Sequence, residues 1–186
     1  MTVYFSRRRA LTAIGAAAAA LSFGAARGET DALDRLLTLV GERLDVMPGV
    51  AMHKFNTGSP VDDLPREAQV LAQVAAQAER AGAPRALAER FFQAQIDAAK
   101  TIQRARIAAW RAEGRGPFAA APDLATEIRP RLDGLTPMLI AALRDSAPSL
   151  ARPDLAACCE AAAAANGRRN PGDDAAFRIA TAPLAR

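Results

Sequence analysis

The sequence predicts an all-α protein, and three observations carry that prediction. Apolar residues make up 51% of the chain, aromatics only 5%, and alanine is abundant, which suits helices packed closely through small side chains. β-Branched residues are sparse, and no long run alternates apolar with polar. Apolar positions recur instead at helical spacing. With 186 residues the chain can bury a real core in one domain, or at most two.

The first 28 residues read as a targeting segment outside the fold. Arg7, Arg8 and Arg9 form a positive start, and Ala10 to Ala26 is apolar and rich in alanine. Gly24-Ala25-Ala26 or Ala26-Arg27-Gly28 offers small residues for a signal peptidase. Ser6-Arg7-Arg8-Arg9-Ala10-Leu11 also resembles a twin-arginine export signal. The stretch is short and weakly hydrophobic for a membrane anchor, and no cysteine near it would take a lipid. Residues 29–186 are then expected to form a single helical domain, with 29–113 as its core and 114–186 as further helices. Removing the leader lowers Lys+Arg from 24 to 20, against 20 Asp+Glu. The exported chain is nominally neutral and keeps no basic stripe with interleaved aromatics, so nucleic acid is not an expected partner. Nor is stable membrane association after cleavage.

A first helix should start near Thr30 or Asp31, either of which can cap it. Leu33, Leu36, Leu37, Val40, Leu44 and Met47 mark its buried face. Pro48-Gly49 predicts a kink rather than a stop, and Val50, Ala51 and Phe55 resume the pattern before Asn56-Thr57-Gly58-Ser59-Pro60 ends it. A second helix begins around Asp62 or Asp63, with Pro65 in its first turn, and runs to Gly82. A third, long helix spans about Pro84 to Glu113, with Leu87, Phe91, Phe92, Ile96, Ile102 and Trp110 as core candidates. Residues 114–122 form a loop. A fourth helix covers roughly Asp123 to Ser146, bent or delayed by Pro130 and Pro137. A fifth runs from about Asp154 to Asn166, Gly167 to Asp173 is a loop, and a short last helix holds Phe177 and Ile179.

Cysteine and metal chemistry have little to work with. Cys158 and Cys159 are adjacent. Neighbouring side chains on a helix diverge by about 100°, which does not suit a disulfide, so free thiols or a strained vicinal pair are expected. One histidine, His53, and no cluster at ligand spacing leave no expected metal site.

The polar residues are more informative. Arg43 and Lys54 stand eleven residues apart, three helical turns plus about 20°, so they share a face. The ordinary reading is two solvated cations, but the chain holds 22 arginines and two lysines, so a plain surface cation would be arginine. Asp63, Arg66 and Glu67 at i, i+3 and i+4 share another face. The ordinary reading there is a surface ion pair of small worth; the alternative is acids that hold the arginine and accept a hydroxyl. Gln103 lies one turn after Ala99, whose small side chain leaves room beside the amide.

Together these spacings resemble the all-helical chorismate mutases. Arg43, Lys54, Asp63, Arg66-Glu67 and the later Gln103 carry the resemblance over about Asp31 to Trp110. The leader and extra helices make the chain similar to the secreted, monofunctional gamma subclass, as does the phrase from Ile128 to Pro137, IRPRLDGLTP. The resemblance implies a helical bundle of about six helices with a long N-terminal helix. It implies an isomerase that rearranges chorismate to prephenate in one pericyclic step, the chemistry of phenylalanine and tyrosine biosynthesis, with no cofactor and no metal. It also implies periplasmic or secreted location and a possible homodimer.

By the same resemblance Arg43 and Arg66 each pair with a substrate carboxylate. Lys54 bridges a carboxylate and the ether oxygen, and Gln103 donates to that oxygen. Glu67 binds the ring hydroxyl, with Asp63 near it. Some relatives carry glutamate at the Gln103 position, which must be protonated to donate; glutamine needs no proton. Two departures stand out. Relatives often have serine or threonine where Ala99 stands. The subclass also places an arginine on the fourth helix where the alignment puts Met138, so Arg131, seven residues earlier, is the expected substitute, and Met138 is expected in the core. An isochorismate pyruvate-lyase on the same fold and an exported binding or effector protein with weakened catalysis are the alternatives.

Overall fold

The computed structural model describes residues 31–185; the expected leader, residues 1–28, lies outside them. Among the described residues every regular element is helical. In order these are α1 (31–44), α2 (Met47–Thr57), α3 (Leu64–Ala81), α4 (Arg85–Ala112), α5 (Arg129–Asp145), α6 (Leu155–Arg169) and α7 (Asp174–Thr181), with short π and 3-10 turns between them.

α1 and α2 form one kinked rod. The ladder stays helical through the joint: Asp45 N–H donates to Gly41 O at 2.9 Å, and Val50 N–H to Val46 O at 3.3 Å. Pro48 has no N–H to give, and the chain loosens at residues 45–46, just before it. The expected kink is therefore present, and Leu36, Val40, Leu44 and Met47 stay on one buried face. Gly49 is needed at the bend, because a Cβ there would lie 2.9 Å from Pro122 Cγ.

α3 begins at its Asp63 cap, whose side chain accepts from Arg66 N–H. It ends at Gly82, which adopts the left-handed conformation, φ 69°, that glycine takes without steric cost. α4 is the central element, packing against α2, α3 and α7. Its Phe91 and Phe92 are fully buried and meet edge to face, centroids 5.6 Å apart. Gln95, also fully buried, donates to Ala180 O at 3.0 Å and ties α4 to the C-terminal helix.

The loop after α4 is pinned at one point. Asn56 Nδ2 donates to Phe118 O and its Oδ1 accepts from Phe118 N–H, both at 2.8 Å. Phe118 then packs edge-on against Phe55 and Trp110, with centroids 5.8 and 4.6 Å away. Trp110 is thus a partner in this peripheral cluster rather than a deep core residue.

The C-terminal half departs from expectation in three places. A π turn over Leu124–Ile128 precedes α5, capped by Asp123, which accepts from Ala125 and Thr126 N–H. α6 continues through Gly167 to Arg169, so the loop before α7 is shorter than the glycine suggested; Gly167 sits tightly against Asp174 and does not stop the helix. Met138, expected in the core, is 41% exposed, because α5 buries Leu135, Leu139, Ile140, Ala142 and Leu143 instead. Cys158 and Cys159 are free and half-buried. No helix among the described residues is long and apolar enough to cross a membrane.

Replacing Asn56 by Ala removes both bonds to Phe118 at once. Equilibrium urea unfolding should show a loss of about 1 kcal/mol, and amide exchange should quicken in residues 114–122 ahead of the helices.

Candidate active site

A cavity of about 830 Å³ opens between the α1–α2 rod, α3, α4 and the start of α5. Arg43, Lys54, Asp63, Arg66, Glu67 and Gln103, the six residues singled out in the sequence, all line it. The eleven-residue phase between Arg43 and Lys54 survives the kink because the backbone stays helical through it.

Arg43 is the deepest cation. It is 7% exposed, and its Nε and Nη1 have no hydrogen-bond partner among the described residues. Its guanidinium lies 5.8 Å from the Phe92 ring centroid, within range of a cation–π contact. Burial pushes its pKa down to about 10, partly opposed by the charge of Asp133, and the group stays protonated at neutral pH. Such a cation with unused donors is suited to receive an anion.

Lys54 is half-buried and donates to Val61 O at 2.8 Å. Burial pulls its pKa below the ordinary lysine value; Asp63, Asp62 and Glu67 oppose this, and the nearby Lys100 adds to it. Gln103 is buried, with its amide nitrogen 3.7 Å from Met47 Sδ and its Oε1 without a partner. Sulfur is a weak acceptor, so this amide can exchange it for a stronger one. Ala99 lines the wall one turn before Gln103, leaving the expected space.

The acids on α3 act differently from a surface ion pair. Among the described residues no salt bridge joins Arg66 to Asp63 or Glu67. Asp63 caps the helix, Arg66 Nη1 donates to Gln69 Oε1 at 2.8 Å, and Glu67 pairs with Lys100 at 3.0 Å.

The arginine of α5 that lines the cavity is not Arg131. Arg129 lines the cavity with Leu132, Asp133 and Thr136, at i, i+3, i+4 and i+7 on one face of α5. Arg131 lies two residues on, about 200° around the helix, and is exposed with Met138 on the opposite side. Seven residues apart, Arg131 and Met138 share a face, and that face points to solvent. The π turn over Leu124–Ile128 sets the phase in which α5 begins, with Arg129 as its first residue. Lys100 was also overlooked. Its signal was available, since Ile96, Ala99, Lys100 and Gln103 repeat the i, i+3, i+4, i+7 stripe on α4, and all four line the cavity.

The chain is similar to known proteins in sequence and in fold. Residues 26–104 match the family of type II chorismate mutases. The chain is 32% identical over 159 residues to a secreted chorismate mutase from Mycolicibacterium smegmatis, covering 82% of this chain and 87% of that protein. It is 36% identical over 113 residues to a monofunctional chorismate mutase from Enterobacter agglomerans, covering 60% of each. The crystal structure of a chorismate mutase from Burkholderia phymatum superposes with a TM-score of 0.78 at 32% identity, over 85% of this chain and 98% of that one. That from Burkholderia thailandensis does so with 0.76 at 38% identity, over 82% and 98%. At 32% identity across most of both proteins, the chain belongs to the chorismate mutase family.

Proposed function

We propose that this cavity binds chorismate through Arg43, Lys54, Arg66, Glu67, Gln103 and Arg129, and that the protein, as a chorismate mutase, is an isomerase that converts chorismate to prephenate. The observation that carries the reading is Arg43: a nearly buried cation with two unpartnered nitrogens, beside a buried amide held only by sulfur. A small dianion would satisfy both.

The reaction is a pericyclic shift of bonds within one molecule. The carbon–oxygen bond of the ether breaks as a carbon–carbon bond forms, and negative charge grows on the ether oxygen. Catalysis then consists of holding the compact conformer and meeting that charge with donors already in place. Arg43 and Arg66 suit the two carboxylates, because a planar guanidinium matches their geometry. Lys54 reaches a carboxylate and the ether oxygen, and Gln103 donates to the same oxygen. Glu67 accepts from the ring hydroxyl. Asp63 acts mainly as the cap that fixes the first turn of α3, on which both Arg66 and Glu67 depend. Arg129 supplies the α5 arginine of the secreted subclass.

Residues 1–28 are read as an export leader that leaves residues 29–186 as the working domain, and the secreted relative supports that reading. The cavity draws on Leu124 and the start of α5 as well as on residues 29–113, so α5 belongs to the site, while α6 and α7 do not line it.

Loss of chorismate absorbance, with prephenate identified as the product, tests the activity directly. Lys54→Ala and Gln103→Ala should each cut kcat by on the order of 10²–10³, with circular dichroism unchanged. Arg129→Ala should lower kcat/KM by about 10- to 100-fold, as expected for losing a charged hydrogen bond, while Arg131→Ala should stay within about threefold.

The pH profile has a defined shape. Gln103 donates without titrating, so kcat/KM should be flat between pH 5 and 8. Lys54 must be protonated to act, and its pKa is lowered. Its contribution is therefore complete below that pKa and lost as pH rises through it, giving an alkaline limb that starts below the ordinary lysine value of 10.5. Gln103→Glu should replace the flat region with a steady fall from acid to neutral pH, because that side chain donates only when protonated.

A further inference from the structure

The two lysines of this chain, set among 22 arginines, line the same cavity. Lys54 already has a role; Lys100 does not. Its Nζ lies 3.0 Å from Glu67 Oε2 and 3.6 Å from both Asp62 Oδ1 and Asp97 Oδ1. The Lys100 and Glu67 side chains are each only 15% exposed. One compact ammonium with three rotatable donors can face three separate carboxylates, which the planar fork of arginine does poorly. Of these only the Glu67 contact is a hydrogen bond; the two at 3.6 Å hold the ammonium toward the acids by charge.

Its consequence falls on Glu67. One carboxylate oxygen is held by Lys100 from α4, and the other accepts from Asp63 N–H at 3.3 Å. One turn further along α4, Arg104 Nη2 reaches both oxygens of Asp62 at 2.7 Å. Lys54 from α2 holds the Val61 carbonyl. The segment from Val61 to Glu67 is thus fixed by cations from two helices, and Glu67 points one carboxylate at the cavity in one orientation. A free glutamate would have to surrender its rotamers on binding; a clamped one has already done so.

We propose that Lys100 is a positioning residue that presets Glu67 as the acceptor for the substrate hydroxyl, and so contributes to substrate selection without touching substrate. The proposal rests on the reading of this cavity as a chorismate site. A hydroxyl contact made alike in ground and transition states affects KM rather than kcat.

A double-mutant cycle on the full chain tests it. Lys100→Met should raise KM for chorismate about five- to tenfold and leave kcat within about threefold. In a Glu67→Gln background the same substitution should change KM by less than about twofold, because the group it acts through is gone. Thermal melts by circular dichroism accompany each variant, and Lys100→Gln replaces Lys100→Met if the latter does not fold. An unchanged KM, a loss confined to kcat, or equal losses in both backgrounds would overturn the proposal. If the parent itself does not turn over chorismate, the functional reading fails and takes this inference with it. An active parent with additive effects overturns the inference alone.

Discussion

The burial of one charge governs much of this architecture. Arg43 sits 7% exposed with two nitrogens unpartnered, an arrangement that lowers the stability of the empty protein. The fold tolerates it because the guanidinium is supported without being neutralised. Phe92, on α4, offers its ring face, and Asp133, on α5, offers a charge across the cavity without a hydrogen bond. Pairing Arg43 fully with an acid would make the fold more comfortable and leave the site less able to take an anion. Three of the five buried side-chain atoms without partners among the described residues, on Arg43 and Gln103, lie at this cavity.

α4 is where these demands meet. Its buried face supplies Phe91, Phe92 and Gln95 to the core, while the stripe from Ile96 to Gln103 faces the cavity. The same helix fastens the C-terminal helix through Gln95 and Arg106, whose Nη2 lies 3.1 Å from Asp173 Oδ1. A long, straight helix is the element best able to hold packing and chemistry in fixed phase, because 28 residues of one ladder leave little freedom between its ends.

The parts legible in the sequence were those set by local periodicity. The buried face of α1, the Asp63 cap and the Gly82 stop follow from nearest-neighbour chemistry, and the Arg43–Lys54 phase needed only near-helical backbone angles across the turn before Pro48. What escaped depended on something non-local or irregular. The π turn before α5 has no periodic signature, and only two residues separate Arg129 from Arg131 on the far side of the helix. The Asn56–Phe118 clasp joins positions 62 residues apart, with no periodic signal to announce it. Lys100 was a different kind of miss. The scarcity of lysine drew attention to Lys54, and the same argument applied with equal force to the only other lysine.

The residues that line the cavity span positions 43 to 136, and the chain reaches its last wall by way of the loop that Asn56 holds and the π turn that follows it. A fault in that connection would act at a distance. Slackening residues 114–122 would free the start of α5, and with it the wall that carries Arg129 and Asp133.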